Sequence, residues 1–150
     1  MQAAYWLARV YWRVCKPRTV GVRAIVTDGA NVLLIRHSYK RGWYLPGGGV
    51  KRGEPLVAAI RRELREEVGI AGVPDEGIQL VGAYSNLREG KSDHVVVVAV
   101  RKWTEFRPQP NREIRALEFF RFERLPEGTS PATTRRIGEY LAGTTSVTDW

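Results

Sequence analysis

Gly48-Gly49-Val50-Lys51-Arg52-Gly53-Glu54-Pro55-Leu56-Val57-Ala58-Ala59-Ile60-Arg61-Arg62-Glu63-Leu64-Arg65-Glu66-Glu67-Val68-Gly69-Ile70 is the stretch that decides the reading of this chain. Three of its carboxylates, Glu63, Glu66 and Glu67, stand at i, i+3 and i+4. On a helix that spacing puts them on one face, with Cβ atoms about 5–6 Å apart. Unpartnered, such a cluster is unfavourable, because like charges at i,i+4 destabilise a helix and raise one another's pKa. A hard divalent cation turns that cost into a use, since carboxylate oxygens are the ligands Mg²⁺ and Mn²⁺ prefer. Pro55 suits a first helical position, with Glu54 near the positive end of the helix dipole and Gly69 as the C-cap. Leu56, Ala59, Ile60, Leu64 and Val68 are expected to form the buried stripe, opposite the carboxylates. The residues therefore predict a metal-binding carboxylate helix entered through a glycine-rich loop. The plainer reading is a solvated charged face balanced by Arg61, Arg62 and Arg65.

The run resembles the Nudix box, G-x5-E-x7-R-E-U-x-E-E-x-G-U with U aliphatic. Gly48, Glu54, Arg62, Glu63, Leu64, Glu66, Glu67, Gly69 and Ile70 fill every fixed position without a gap. The motif is specific but covers 23 residues; the resemblance extends over residues 18 to 142, where flanking strands and a late helix fall as that fold needs them. It implies a Nudix-type α/β/α sandwich with a mixed sheet between helices. It also implies Glu63, Glu66 and Glu67 as ligands of Mg²⁺ or Mn²⁺, with Glu63 alternatively orienting or deprotonating the attacking water. Arg62 is expected to hold the motif carboxylates, and Glu54 to be its structural partner. Family members often draw a further base from outside the box. Glu113, Glu118, Glu105 and Glu89 are candidates, Glu113 foremost because it follows a proline-bearing loop and precedes a strand.

Outward from the box the hydrophobic period switches between strand and helix. Arg18 to Asp28 and Val32 to Ser38 read as partner strands of a hairpin turned at Asp28-Gly29-Ala30-Asn31. Trp43-Tyr44-Leu45 is a short extended piece ended by Pro46 and the glycines Gly47, Gly48 and Gly49. Those glycines permit positive φ and close approach of backbone N–H groups to phosphate oxygens. Ile78 to Ser85 and His94 to Trp103 read as strands, the latter central because Val95 to Val100 is continuously apolar yet too short to span a membrane. Glu113 to Glu123 is expected to be the last strand. Ser130-Pro131 opens a final helix reaching about Leu141. The organisation expected is an amphipathic helical extension over 1–16, the Nudix domain over 17–143 and a loose tail over 144–150.

The formal charge of +8 favours polyanionic partners: nucleotides, pyrophosphates, an RNA 5′ end or an acidic membrane surface. The lone Cys15 cannot form an internal disulfide, which suits a reducing cytoplasm. In the extension, Tyr5, Trp6, Leu7, Val10, Tyr11 and Val14 are expected to form an apolar stripe that packs on the domain or on a second subunit as a homodimer, with a membrane-surface or substrate-lid role as the alternatives. Arg9 interrupts any signal-peptide core, and no apolar run reaches the length of a membrane span. Arg23, Arg36, His37, Lys40, Arg41 and Trp43 lie on or beside the strands before the box. From them Arg36, His37 and Trp43, with Gly47, Gly48 and Gly49, are taken as candidate substrate contacts.

The resemblance thus implies a divalent-metal-dependent pyrophosphohydrolase acting on a nucleoside diphosphate linked to another moiety. Nucleoside triphosphates, ADP-ribose, nucleotide sugars and capped RNA ends all remain open as substrates. The alternative is a non-catalytic nucleotide- or RNA-binding module of the same fold. An isoprenoid diphosphate isomerase shares the architecture, but its cysteine belongs in the body of the domain, and Cys15 does not lie there.

Overall fold

The computed structural model describes residues 18–87, 92–109 and 112–150. The expected helical extension, its dimer surface, Cys15 and Glu89 lie outside the described residues. In chain order the elements are β1 (Arg18–Val26), β2 (Asn31–His37), α1 (Leu56–Glu63), β3 (Ile70–Ala71), β4 (Ile78–Asn86), β5 (Ser92–Val100), β6 (Glu105–Phe106), β7 (Ile114–Arg121), α2 (Pro131–Leu141) and β8 (Ser146–Asp149). A four-stranded mixed sheet runs β1-β5-β4-β8, with β5 parallel to β1 and antiparallel to β4. Pairs β2-β7 and β3-β6 complete the strand set.

Strand parity explains the two cores. Val22, Ala24 and Val26 of β1, with Leu33 and Ile35 of β2, pack with Ala59, Ile60, Leu64 and Val68 from the box helix. Ile25, Val32, Leu34, Val97 and Ala99 point the other way and pack with Ile137 of α2. The strands are thus apolar on both faces and lie between helices, the mixed α/β sandwich expected from the resemblance. Burying Leu64 contributes about 1.5–3 kcal/mol. Among the described residues no helix is long and apolar enough to cross a membrane.

Three local expectations differ from the structure. The turn at Asp28 forms, its carboxylate accepting from the backbone N–H groups of Ala30 at 3.0 Å and Asn31 at 2.8 Å. Beyond a bridge between Thr27 and Val32, however, β1 and β2 do not pair; β1 runs beside β5 over nine residues and β2 beside β7. Long-range pairing here outweighs the hairpin, since β5 covers the whole apolar length of β1. Residues 146–149 are not a loose tail: they form β8, parallel to β4 in the register Gly82↔Ser146 to Ser85↔Asp149. Leu56 is exposed, because the helix begins there rather than at Pro55, which stands just outside with extended ψ of 145°.

Candidate active site

The segment after β2 positions the glycines. The Val22 and Ala24 N–H groups donate to the carbonyls of Gly48 and Pro46, each at 2.9 Å, and Val50 donates to Val20 at 2.8 Å. The glycine segment therefore lies along the edge of β1 that faces away from β5. Gly47 has φ +135°, and a Cβ there would run into the backbone of Val22, so only glycine fits. Its freed N–H donates to Oε2 of Glu67 at 2.7 Å. A Cβ on Gly48 would lie 2.5–2.7 Å from the carboxylate atoms of Glu63. Gly47 is thus bare because the Val22 backbone presses against it, and Gly48 because the Glu63 carboxylate does.

The helix itself changes pitch at the motif. After Glu63 the chain widens into a π-helical turn over Leu64–Val68, closed by Gly69 at φ +71°. Widening breaks the regular i, i+3, i+4 face. Glu66 stays 58% exposed in its side chain, Glu63 only 13%, and Glu67 turns inward to 8% residue exposure. The carboxylates are therefore not simply opposite the buried stripe. Burial pushes the Glu67 carboxyl up to about 7, aided by the charges of Glu63 and Glu113 and opposed by the Gly47 N–H and Arg23.

Arg62 organises the rest. Its Nε and Nη2 grip Glu54 as a fork, at 2.7 and 2.8 Å, and Nη2 also donates to the Gly49 carbonyl at 2.9 Å. Nη1 donates to Oε1 of Glu63 at 2.5 Å and stands 3.5 Å from Oε2 of Glu66. The fork holds the Glu54 carboxyl down to about 2, and the carboxylates raise the Arg62 guanidinium. With Glu63 and Glu66 drawn to Arg62, no group of three His, Cys, Asp or Glu among the described residues stands ready to hold an ion. The donor chemistry nevertheless fits a hard divalent cation: three carboxylates on one helical stretch, one of them buried at an energetic cost that a cation would remove.

A cleft of about 570 Å³ opens beside the glycines. Its floor is β1 and β5, and the N-terminal turn of α2 stands over it, with Ser130 as N-cap accepting from the Thr133 N–H at 3.1 Å. Arg23, Lys40 and Arg135 bring three cations to it, and Tyr44 an aromatic ring. Burial lowers the Arg23 guanidinium, while Glu67 and Glu63 support its charge, so Arg23 links the carboxylates to the cleft.

The sequence-predicted contacts divide. Gly48 and Gly49 line the cleft, and Gly47 stands behind them on Glu67. Arg36 and Trp43 do not line it: the Arg36 guanidinium sits 5.5 Å over the Trp43 ring, which meets Phe120 edge-on at 4.8 Å. Arg36 shares the face of Leu34, and Trp43 packs on that core. His37 is packed against Tyr39 and Tyr44, with Nδ1 buried and without a hydrogen-bond partner. Burial, then the charges of Arg23 and Lys40, lower its pKa, opposed by Glu113. Glu113 is exposed, its carbonyl accepting from the Ser38 N–H at 2.8 Å, and its charge reaches Glu67, His37 and Tyr39. Glu118 pairs opposite Leu34 and Glu105 lies on β6, 4.0 Å from Arg107. Sequence reasoning missed Arg135, Asn86, Asp93 and Trp150 in the cleft.

The family model described as NUDIX domain matches residues 17–141. The chain belongs to the Nudix family. An RNA pyrophosphohydrolase of Halorhodospira halophila is 33% identical over 91 residues, 61% of this chain and 39% of that protein. The nucleoside triphosphatase NudI of Escherichia coli is 44% identical over 59 residues, 36% of this chain and 41% of NudI. The matched stretches thus span well under half the length of these curated relatives. Among solved structures, a MutT Nudix hydrolase from Burkholderia pseudomallei superposes with a TM-score of 0.72 at 26% identity, covering 82% of this chain and 98% of that one. Nudix enzymes generally require a divalent metal.

Proposed function

We infer that this Nudix protein is a divalent-metal-dependent pyrophosphohydrolase, cleaving the phosphoanhydride of a nucleoside diphosphate linked to another moiety. The observation that carries the reading is the buried Glu67 carboxylate, anchored on the Gly47 N–H beside Glu63 and next to a cleft lined with cations. Breaking a phosphoanhydride requires neutralising charge on the phosphoryl oxygens and aligning a water on phosphorus. Glu63, Glu66 and Glu67 would hold Mg²⁺ or Mn²⁺, with Glu63 and Glu66 turning from Arg62 to do so. When bound there, such an ion stabilises the developing negative charge and lowers the pKa of water.

The remaining roles fall to the chain's own residues. Arg62, tied to Glu54 and the Gly49 carbonyl, fixes the helix against the glycine segment. Arg23 and Lys40 receive phosphate oxygens from the cleft side, and the glycine backbone permits their close approach. Glu113 accepts the proton of the attacking water from outside the box. Nucleoside triphosphates are the first substrates to consider, in keeping with the name of the NudI relative. The RNA pyrophosphohydrolase relative and the charge of +8 together support an RNA 5′ end as the second.

The test is release of phosphate or pyrophosphate from nucleoside triphosphates, ADP-ribose, nucleotide sugars, dinucleoside polyphosphates and 5′-triphosphate RNA, with and without Mg²⁺ or Mn²⁺. Metal-dependent release from one class supports the reading and names its substrate group. Tight binding without turnover of any class replaces it with the non-catalytic module. Activity on the RNA end that falls steeply with salt would favour RNA over free nucleotides.

A further inference from the structure

The end of the described chain is held more firmly than a surface strand requires. β8 lies on β4, and the Trp150 N–H donates to the Ser85 carbonyl at 3.0 Å, continuing the pairing past Asp149. Close approach is permitted at Gly82, where a Cβ would stand 2.5 Å from the Ser146 carbonyl oxygen. Beneath the strand, Arg136 is 2% exposed, an unusual burial for arginine. Its Nη2 meets Glu139 at 3.0 Å, and Nη1 donates to the Asp149 carbonyl at 3.2 Å. Its guanidinium lies 3.8 Å from the Tyr84 ring centre and 5.6 Å from that of Trp150. Tyr84 in turn donates its hydroxyl to Glu139 at 2.5 Å and meets Trp150 edge-on at 5.9 Å.

That network fixes the indole where it lines the cleft together with Asn86 and Asp93, which stand opposite one another on β4 and β5. The glycine segment bridges the far edge of β1, so phosphate-facing and indole-facing walls stand at opposite edges of one sheet. From the glycine segment across β1, β5 and β4 to β8 is four strand spacings, about 19 Å before the indole reaches back, room for a nucleoside with its phosphates in line. The phosphate wall is cationic and glycine-rich; the far wall offers a rigid aromatic ring with an amide and a carboxylate beside it.

We propose that Trp150 is the nucleobase platform of this cleft, a specificity-determining residue that stacks the base while Asn86 and Asp93 face its polar edge. The inference rests on the nucleotide pyrophosphohydrolase reading and extends it: substrates carrying a base are preferred over base-free polyphosphates. Aromatic stacking suits such a role because every base presents a π-face, whereas edge contacts discriminate between bases.

The test measures AMP and inorganic pyrophosphate binding by calorimetry in EDTA, and KM and kcat for ATP with Mg²⁺, in the parent, Trp150→Ala and Trp150→Phe. Expected for Trp150→Ala is AMP affinity weakened about tenfold or more, the size of one stacking contact. Pyrophosphate affinity should be unchanged, KM for ATP should rise, and kcat should persist. Trp150→Phe should restore AMP binding. Unchanged AMP affinity in Trp150→Ala, or failure of the parent to bind AMP, overturns the proposal. So does joint loss of AMP and pyrophosphate binding that Trp150→Phe does not rescue, since a merely structural residue behaves that way. If the parent binds AMP but hydrolyses nothing with metal, the hydrolase reading fails while the binding series still decides the platform.

Discussion

Glu67→Gln should make the metal-free protein more stable in alkali while destroying its turnover. Glu67 is buried, and its carboxyl is pushed from an ordinary 4.5 to about 7. A folded-state pKa above the unfolded one means that folding favours the protonated form. The contribution is most favourable below pH 4.5 and is lost as pH rises through 7. The span of the shift corresponds to about 3 kcal/mol between those limits. Glutamine retains an acceptor for the Gly47 N–H and cannot ionise, so this loss disappears. The assay is urea denaturation in EDTA at pH 5 and pH 8 for parent and variant. The fall in stability between the two pH values should be smaller in the variant by about 2–3 kcal/mol. Mg²⁺ should stabilise the parent at pH 8, by about 2.7 kcal/mol at a hundred times its Kd, and stabilise the variant far less. Identical pH dependence in parent and variant would refute the claim that Glu67 is stored as a costly buried carboxylate.

Neighbouring residues give contrasting outcomes. Gly48→Ala, whose Cβ would press on Glu63, should cut kcat at least about tenfold while the melting temperature changes little, read by initial rates and calorimetry. Gly47→Ala combines a φ of +135° with collision against the Val22 backbone and should instead lower thermal stability, by about 2 kcal/mol or more. Arg62→Lys should lose activity comparably to Arg62→Ala, because a single ammonium cannot reproduce the fork on Glu54 together with the bond to Gly49; kcat of the two variants compares them directly. Glu113→Gln should depress kcat about a hundredfold or more, whereas Glu118→Gln should behave as the parent, read by initial rates with Mg²⁺.

What the sequence disclosed and what it hid follow the range of the forces involved. The motif, the Ser130 N-cap, the Gly69 C-cap and the central position of β5 depend on near neighbours or on continuous apolarity, and all were legible. The partner of β1 was not, because a turn at Asp28 fits a hairpin equally well, and only the competing length of β5 decides. Nor was the π-helical turn, whose widening carries Glu67 inward although periodicity assigns it to the charged face. Arg36 and Trp43 stand near the glycines in sequence, yet Arg36 lies over the Trp43 ring and that ring meets Phe120, so neither lines the cleft. Residues 144–150 carry no strong hydrophobic period, and β8 forms because β4 offers an open edge and Arg136 a buried anchor. Trp150 was invisible as a cleft residue for the same reason.

The most direct measurement of the central claim is ³¹P NMR of ATP incubated with the parent protein and with Glu67→Gln, each with Mg²⁺ and each with EDTA. The account predicts new phosphate or pyrophosphate resonances for the parent with Mg²⁺ and none above background in the other three samples. Hydrolysis that persists in EDTA, or at parental rate in Glu67→Gln, would contradict it.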